Sequence, residues 1–491
     1  MADLAVMLGR GGYERSRIMP PSDMLLERNV PAENVSVIIT RAASFGSLLT
    51  INQATGNDNN TRAQVRAGAA WATIGRAAWG STNRAAPEPT EAADAGDVVS
   101  VAAGTYESTV NLGSRSAVLY TPVNQGQSGI PIRFVANGTV TLVARTLNAP
   151  IIGSDSQDYI EWYADVTQGH KWSILNGWVW QGQSAPGTVN IASDTGSVVL
   201  WGANYCLIEG VTVDGGGAPF SSNYNGVRLE SCIGCTVRNN TVHNFKYPTD
   251  ANSSGVTIYG GWDNVIEHNY LYDVNTGVML KDTGTTIYPM VNTIRWNRIN
   301  NYHMNGFAVS LFPQESTNRF YGNLVTNGTD TNSNCILQAG NETKDWFYNN
   351  TFYNCYTAIG PGLGVGARMW NNIFHTLAGN VFFTDGGAGQ SVSNTSYQHN
   401  VYYNYTSDFF NCALSSPVHQ TFAEWKTNFS GQDATSPIST TSDPVFVTIG
   451  TDFHLNQSTS PCLTLGRDPD TNAVVPAGCY ITGSEVIGVV T

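Results

Sequence analysis

The chain has 491 residues, a formal net charge of −13, 41% hydrophobic residues and only 12% charged residues. This composition excludes a disordered chain, because there is enough apolar surface to build a long core. It also argues against nucleic acid as a partner, since no basic stripe is present. No apolar run approaches the roughly 18 residues of a membrane span, so we expect no membrane partner either.

Residues 1–50 differ in composition from the rest and contain more Arg, Met and Pro and little Asn. They contain neither the apolar core nor the cleavage site of a secretory leader. We therefore expect an attachment or extension segment, which could contact other virion proteins. The expected location of the protein is extracellular or on a virion.

Residues 51–106 are predicted to form an N-terminal cap. Leu49–Asn52 and Gly96–Val101 have the pattern of strands, and Gln64–Trp79 has apolar residues at the spacing of a short amphipathic helix. A stack of strands needs such a cover, because exposed ladder edges invite aggregation.

From about residue 195 the chain repeats an alternating strand, an asparagine and a second short strand. The steps between these asparagines are 22 to 29 residues, which is the mark of a solenoid. We predict that residues 107–404 form its coils and that the asparagine amides bond from coil to coil as a ladder. The predicted ladder consists of Asn240, Asn269, Asn297, Asn323, Asn350, Asn372 and Asn400.

Another strand recurs in the same frame, as in GVRLE from Gly226 and GVTIY from Gly255. Its second and fourth residues are apolar and should point inward, whereas its third and fifth should point outward. We expect the opening glycine to need an unusual φ or a close approach. The predicted outward columns are Val199, Arg228, Thr257, Met279, Ala308 and Ile336, and Trp201, Glu230, Tyr259, Lys281, Ser310 and Gln338.

Residues 405–491 leave the repeat and are predicted to close the C-terminal end, with a short helix at Phe422–Thr427. The eight cysteines do not follow a zinc spacing, although Cys232 and Cys235 form a C-x-x-C. Most are expected to be small buried apolar residues. Cys462 and Cys479 bracket a loop and are the best candidates for a disulfide.

The coils, the cap TGNDNN…WATIGRAA…AGDVVSVAAGTYE and the tail FAEWKT…SDPVF…DFHLN resemble the pectate-lyase-like superfamily. This resemblance implies an all-β fold: a right-handed parallel β-helix solenoid with an N-terminal capping helix and a C-terminal closing region. The superfamily includes polysaccharide lyases, glycoside hydrolases, epimerases, phage tailspikes and structural proteins. No motif specific to pectate lyases or polygalacturonases is evident, and a homotrimer is implied if the chain is tailspike-like.

The second outward column brings a carboxylate, an amine and aromatic rings onto one strip. For β-elimination, Lys281 is the candidate base, and Arg228, or Ca²⁺ on Glu230 and Asp263, would neutralise a uronate carboxylate. For hydrolysis, Glu230 and Asp263 are the candidate pair of carboxylates. The structural alternative is an outer-face ion pair of Lys281 with Asp282 or Glu230. No residue is assigned as a metal ligand beyond this calcium alternative.

Aromatic rings can stack on sugars, and Trp201, Tyr259, Trp262 and Tyr302 are candidate sugar-binding rings. His303 is a further candidate substrate-binding residue. Other aromatic residues occupy repeat positions and are expected to pack in or on the coil: Trp296, Trp346, Trp370, Phe352 and Phe374. The leading hypothesis is a phage tailspike-like or virion surface β-helix that binds, and could depolymerise, host surface polysaccharide. The alternatives are a secreted polysaccharide lyase or glycoside hydrolase, and a non-enzymatic structural or decorating β-helix.

Overall fold

Short strands wind into a right-handed coil with three faces, and each strand pairs in parallel with the strand one turn further along. The structure is a computed structural model. It describes residues 47–108, 118–144, 150–175, 195–216, 223–246, 252–282, 288–310, 316–331, 333–339, 344–360, 367–384, 396–412, 418–428, 442–467, 473–480 and 485–489. The predicted fold, a right-handed parallel β-helix, is confirmed.

Strands of the three faces follow one another around each coil, and several strands continue around a corner. The first face contains Ile152–Asp155, Thr195–Trp201, Tyr224–Ile233, Ser254–Trp262, the later parts of Tyr270–Lys281 and Arg298–Ser310, Asn334–Ala339, Thr357–Ile359, Phe382–Thr384 and Phe410–Cys412. The second face contains Leu48–Ile51, the first parts of Val98–Ser108 and Ile132–Ala144, Ile160–Ala164, Leu207–Glu209, Thr236–Arg238, Val265–Glu267, Thr293–Arg295, Arg319–Tyr321, Trp346–Tyr348, Arg368–Trp370 and Ser396–Gln398.

The third face contains the later parts of Val98–Ser108 and Ile132–Ala144, Lys171–Leu175, Val211–Asp214, Thr241–Phe245, the first parts of Tyr270–Lys281 and Arg298–Ser310, Leu324–Gly328, Thr351–Cys355, Ile373–Leu377 and Val401–Tyr405. Shorter elements are the strands Pro289–Met290, Val418–Gln420, Phe446–Thr448, Asp452–Leu455, Gly466–Arg467 and Val474–Val475, and the 3₁₀ turns Val166–Gln168 and Pro461–Leu463.

Inward side chains of the three faces fill the coil, as the alternation predicts. On the first face Val227, Leu229, Val256 and Ile258 are fully buried. Rings stack from coil to coil on the other faces: the centroids of Phe320 and Phe347 are 4.4 Å apart, those of Phe352 and Phe374 are 4.8 Å apart, and those of Phe374 and Tyr402 are 5.4 Å apart. Close packing of identical positions explains why the pattern is so regular.

A close approach explains the glycine that opens the repeated strand. A Cβ atom on Gly226 would lie 2.2 Å from Cγ1 of Val242, and one on Gly277 would lie 2.5 Å from the carbonyl oxygen of Gly306. Neither distance is possible for real atoms, so the corner accepts glycine alone without moving its neighbours. Of the two reasons predicted for this glycine, the close approach is the one that applies here.

The predicted asparagine ladder is present and fully buried. Each amide Nδ2 donates to Oδ1 of the next asparagine at 2.9–3.0 Å, from Asn240 through to Asn400. Each Nδ2 also donates to a backbone carbonyl, for example Asn297 to Ile266 at 2.8 Å. The corner backbone is thereby satisfied without water.

A second ladder, which the sequence reasoning missed, follows the corner between the first and second faces. Asn264 donates to Asn292, Asn292 to Asn318 and Asn318 to Asp345, each from Nδ2 to Oδ1 at 3.0 Å. All four side chains are fully buried. This ladder therefore ends on a carboxyl group, not on an amide.

The N-terminal cap contains two short helices, so the single helix predicted over Gln64–Trp79 is wrong. The helices are Arg62–Arg66 and Ile74–Trp79. Gly68, with φ of 108°, lies between them, and Thr73 accepts a hydrogen bond from the Arg76 N–H to cap the second. The strands Leu48–Ile51 and Val98–Ser108 already pair with the stack, so parallel pairing starts within the stretch predicted as a cap.

The C-terminal end is closed by the helix Phe422–Asn428, which confirms the helix predicted over Phe422–Thr427. Its Trp425 is fully buried and stacks on Phe382 with centroids 4.8 Å apart. The described residues from 442 onward instead run back along the side of the coil, since Cys479 N–H bonds Oγ1 of Thr351 and Gly488 N–H bonds the carbonyl of Trp296.

Seven of the cysteines have described side chains, and all seven are buried free thiols. The disulfide expected between Cys462 and Cys479 is therefore wrong: both thiols are buried, and burial raises the pKa of each to about 12. Cys206 and Cys235 occupy matching positions in neighbouring coils, as small buried residues should. In the parts of the chain described here, no helix is long and apolar enough to span a membrane.

Candidate functional site

The predicted outward columns lie in register on the first face, but several of their members are buried and do not face solvent. Val199, Thr257, Met279 and Ala308 of the first column are at most 2% exposed, and Tyr259 of the second is 6% exposed. Glu230 is paired with Trp201 on one side and Tyr259 on the other, and Tyr259 is paired with Lys281. We call Trp201, Arg228, Glu230, Tyr259 and Lys281 the outer strip. Successive members of a column lie one strand spacing apart, roughly 4.8 Å.

The two columns depart from the prediction at their last predicted members, in the strand Asn334–Ala339. Ala308 pairs with Leu337 and Ser310 with Ala339, so the predicted members Ile336 and Gln338 are displaced by one residue. Both are fully buried. A one-residue shift turns every side chain to the opposite side of a strand, so Ile336 and Gln338 do not belong to an outer surface.

Arg228 is the centre of the outer strip and is 6% exposed. Its Nε and Nη2 donate to Oε2 of Glu230 at 2.8 and 2.7 Å, and its Cζ lies 4.0 Å from the centroid of the Tyr259 ring. Its Nη1 donates to Oδ1 of Asn225 at 3.5 Å. The guanidinium group is thus held by an anion, a ring and an amide.

Lys281 and the polar residues beside it extend this network. Lys281 Nζ donates to Oδ1 of Asn252 at 2.9 Å, and Asn225 Nδ2 donates to Oγ of Ser254 at 3.0 Å. Ser254 is hydrogen-bonded to Thr257, and both are fully buried. Buried polar groups in such a network rigidify the surface they support.

Trp262 and Asp263 follow Tyr259 along the chain but lie past a bend. Two consecutive glycines with positive φ, Gly260 and Gly261, create this bend. Trp262 is half-buried and Asp263 is exposed with φ of 58°. Partial burial raises the pKa of the Asp263 carboxyl above its ordinary value. Among the described residues, no hydrogen bond or ion pair joins Asp263 to Glu230.

His303 lies at a different corner, between the third and first faces. Its Nδ1 contacts Oδ2 of Asp330, and Nζ of Lys246 lies 3.9 Å from the same oxygen. Asp330 is therefore an orienting partner for this histidine, which could not be identified from the sequence pattern. The His303–Asp330–Lys246 cluster is separate from the outer strip.

A calcium ion does not fit the predicted pair Glu230 and Asp263. The Arg228 guanidinium already neutralises Glu230, and a second cation beside it would be repelled. The described residues also contain no group of three or more His, Cys, Asp or Glu side chains arranged to hold a metal. The outer strip is therefore an arrangement of hydrogen-bond donors, a fixed ion pair and rings.

The second face carries residues whose grouping the sequence reasoning missed. Outward side chains of this face form two columns, at two and at four residues before each asparagine of the first ladder. One is an ion-paired row that continues into aromatic rings: Glu209, Arg238, Glu267, Arg295, Tyr321, Tyr348 and Trp370. The other includes Arg319, Trp346 and Arg368. A fixed offset from the asparagine was the signal that could have found them.

The aromatic residues at the repeat positions divide into two groups. Phe352 and Phe374 are fully buried in the core, and Trp296, Trp346 and Trp370 are half-buried on the outside of the coil. Tyr302, a candidate sugar-binding ring, is 1% exposed and belongs to the core, so it is not available to a sugar.

Comparison with known proteins agrees with this architecture. Residues 190–352 match the family model described as the right handed beta helix region. The match covers about a third of the chain and agrees with the right-handed parallel β-helix fold. No curated protein matches the sequence.

Three solved structures are similar to parts of the chain, at TM-scores below 0.5. Pectate lyase Pel9A has a TM-score of 0.42 and 13% identity, covering 89% of this chain and 96% of that chain. A GH136 lacto-N-biosidase from Eubacterium ramulus has a TM-score of 0.42 and 14% identity, covering 74% and 65%. ORF18 of Geobacillus virus E2 has a TM-score of 0.34 and 14% identity, covering 65% and 51%.

Proposed function

We propose that the protein binds a cell-surface or extracellular polysaccharide through the outer strip. The carrying observation is the buried Arg228–Glu230 pair, which lies against Tyr259. Trp201 and Lys281 lie in register at the two ends of the Trp201–Glu230–Tyr259–Lys281 column. A rigid strip with a ring at one end and a cation at the other suits an extended chain of sugars, which needs apolar stacking and polar contacts.

The contacts favour binding over bond cleavage. Hydrolysis needs two carboxyl groups at about 5 to 10 Å. The outer strip contains Glu230 alone, and Asp263 lies past the bend. Elimination needs a cation free to neutralise a uronate, whereas Arg228 is buried and bonded to Glu230.

The wider setting extends the proposal beyond the outer strip. A tailspike-like or virion surface protein would present such a strip to a host glycan, and three copies would multiply weak contacts. Residues 1–46 of the predicted attachment segment lie outside the described residues. The extracellular or virion location, the trimer and the virion contact remain predictions from the sequence.

Binding to a panel of bacterial and plant polysaccharides tests this function. We expect wild-type protein to bind at least one of them, and Trp201→Ala and Lys281→Ala each to weaken that binding about tenfold, or roughly 1.4 kcal/mol. Lys171→Ala is the matched control, because Lys171 is an exposed lysine on the third face. This control should leave the affinity unchanged.

Product analysis in the same samples separates binding from chemistry. New reducing ends alone would indicate hydrolysis, and the ultraviolet absorbance of an unsaturated uronate would indicate elimination. Either product from wild-type protein, lost in Lys281→Ala or Glu230→Gln, would replace the binding-only proposal. Absence of binding to every glycan would reject it in favour of a structural β-helix.

A further inference from the structure

An arginine–tryptophan–arginine row lies on the second face, away from the outer strip. Arg319 pairs with Trp346 and Trp346 with Arg368, so the three occupy one outward position in three successive coils. We call them the basic column. At roughly 4.8 Å per strand, the two arginines start about 10 Å apart.

The two guanidinium groups lack the carboxylate partners that other arginines of this face have. Arg238 bonds Glu209 at 2.9 Å and Arg295 bonds Glu267 at 2.8 Å. Arg319 and Arg368 form no ion pair within the described structure. Arg368 is exposed, and its Cζ lies 4.4 Å from the centroid of the Trp346 ring, which orients its charge.

The outward strand positions around the basic column carry no negative charge. From Thr293–Arg295 to Ser396–Gln398, the outward positions of the second face contain no Asp or Glu. The adjacent outward column consists there of rings, with Tyr321 and Tyr348 stacked at 4.9 Å. A chain of net charge −13 thus presents a local positive, aromatic surface.

We propose that the basic column binds an acidic polysaccharide through carboxylates on alternate sugars. One coil rise is close to the length of one sugar residue in an extended chain. Carboxylates two residues apart then meet Arg319 and Arg368, and the sugar between them lies along Trp346. Guanidinium groups bind carboxylates through paired hydrogen bonds, which favours a carboxylated chain over a merely anionic one.

Hyaluronan, which carries a carboxylate on every second sugar, is the probe, and carboxyl-reduced hyaluronan is its neutral counterpart. We expect wild-type protein to bind hyaluronan at least tenfold more tightly than the reduced polymer, with an affinity that falls as salt rises. Arg319→Gln with Arg368→Gln should remove that preference. Both side chains reach solvent, so circular dichroism should report an intact fold.

Two controls make the result specific. Arg298→Gln removes the same charge from an exposed arginine on the third face and should leave hyaluronan binding unchanged. Lys171→Ala, an exposed lysine on the third face outside the outer strip, should also leave it unchanged. An equal loss in Arg298→Gln, equal affinity for dextran sulfate, or undiminished binding by the double variant would each overturn the proposal.

Discussion

The two buried ladders both satisfy polar backbone groups at a corner of the coil, but they end on different kinds of side chain. The first runs through amides from Asn240 to Asn400, whereas the second passes from Asn264 to Asp345. An amide accepts from one coil and donates to the next, so an amide ladder can continue indefinitely. A carboxylate only accepts, so it can be the last member.

The neighbour that follows Asp345 explains why an acid is tolerated there. In the following coil, Ala367 occupies the position that Asp345 has in its own coil. The backbone bonds show this: the Arg368 N–H bonds the Asp345 carbonyl, just as the Trp346 N–H bonds the Asn318 carbonyl. Ala367 has no side-chain acceptor, so an amide at position 345 would lose the partner that every earlier amide has. The cost is a buried carboxyl whose Oδ2 has no hydrogen-bond partner in the described structure, and burial raises its pKa to about 6.

The largest effect should come from breaking the amide ladder in its middle. Asn297→Ala would leave the Asn269 N–H and the Ile266 carbonyl without their partners inside the coil. An unsatisfied buried polar group costs about 1–3 kcal/mol. We therefore expect a loss of about 3 kcal/mol or more in the free energy of unfolding, measured by urea denaturation.

The matched control is Asn300→Ala, which removes a half-buried asparagine from the strand Arg298–Ser310 that follows Asn297. Asn300 accepts hydrogen bonds from Thr326 and Asn327 at the outer surface, where water can replace it. Its loss should stay below about 1 kcal/mol. Equal losses for the two variants would mean that the ladder adds nothing beyond an ordinary surface hydrogen bond.

The difference between the ladders also shows what the sequence could predict. The first ladder was visible because an identical residue recurs before a recognisable strand in seven coils. Asn264, Asn292 and Asn318 recur only three times, and the series then changes to Asp345, so residue identity alone hides it. Its hydrogen bonds depend on three-dimensional register, not on composition.

The outer strip shows the same limit in its register. The pairing of Arg228 with Thr257 and of Glu230 with Tyr259 followed from period-2 alternation. The alternation misplaced Cys335–Ala339, because Asn334 was aligned with the opening glycine. In the structure Asn334 pairs with Asn305, so Cys335 occupies the position of Gly306 and every following residue is offset by one. The contact of Arg228 with Glu230, two residues apart on one strand, depended on rotamers that no sequence pattern specifies.

A smaller effect is expected from the hydroxyl that supports the carboxyl end. Ser316 is buried and its Oγ donates to Oδ1 of Asp345 at 2.9 Å. Hydrogen bonds to charged groups contribute about 1.5–3 kcal/mol, so Ser316→Ala should lower stability at pH 8 by about 2 kcal/mol. A loss no greater at pH 8 than at pH 4, where the carboxyl is protonated, would contradict the charge-dependent role.

The smallest effect, and the one that depends most directly on the comparison, is expected from Asp345→Asn. Because the pKa of Asp345 is raised from 3.8 to about 6 in the fold, the unfolded chain ionises first. The contribution of this carboxyl to the free energy of unfolding is therefore largest below about pH 4, and it is lost as the pH rises from about 4 to about 6. A shift of roughly two pKa units corresponds to about 3 kcal/mol.

The stability of the asparagine variant does not decline with rising pH, because an amide does not ionise. The variant must instead bury a side-chain amide N–H at position 345, beside Ala367, without a partner. The unmade hydrogen bond costs about 1–3 kcal/mol, or about 2 kcal/mol at the middle of that range, so the net gain over wild type should be about 1 kcal/mol at pH 8. At pH 4 the gain should vanish or become a small loss, because the wild-type carboxyl is then protonated and pays no ionisation cost. Urea unfolding of both proteins at the two pH values measures this difference, and a stability gap that does not change with pH would show that the carboxyl is no burden on the second ladder.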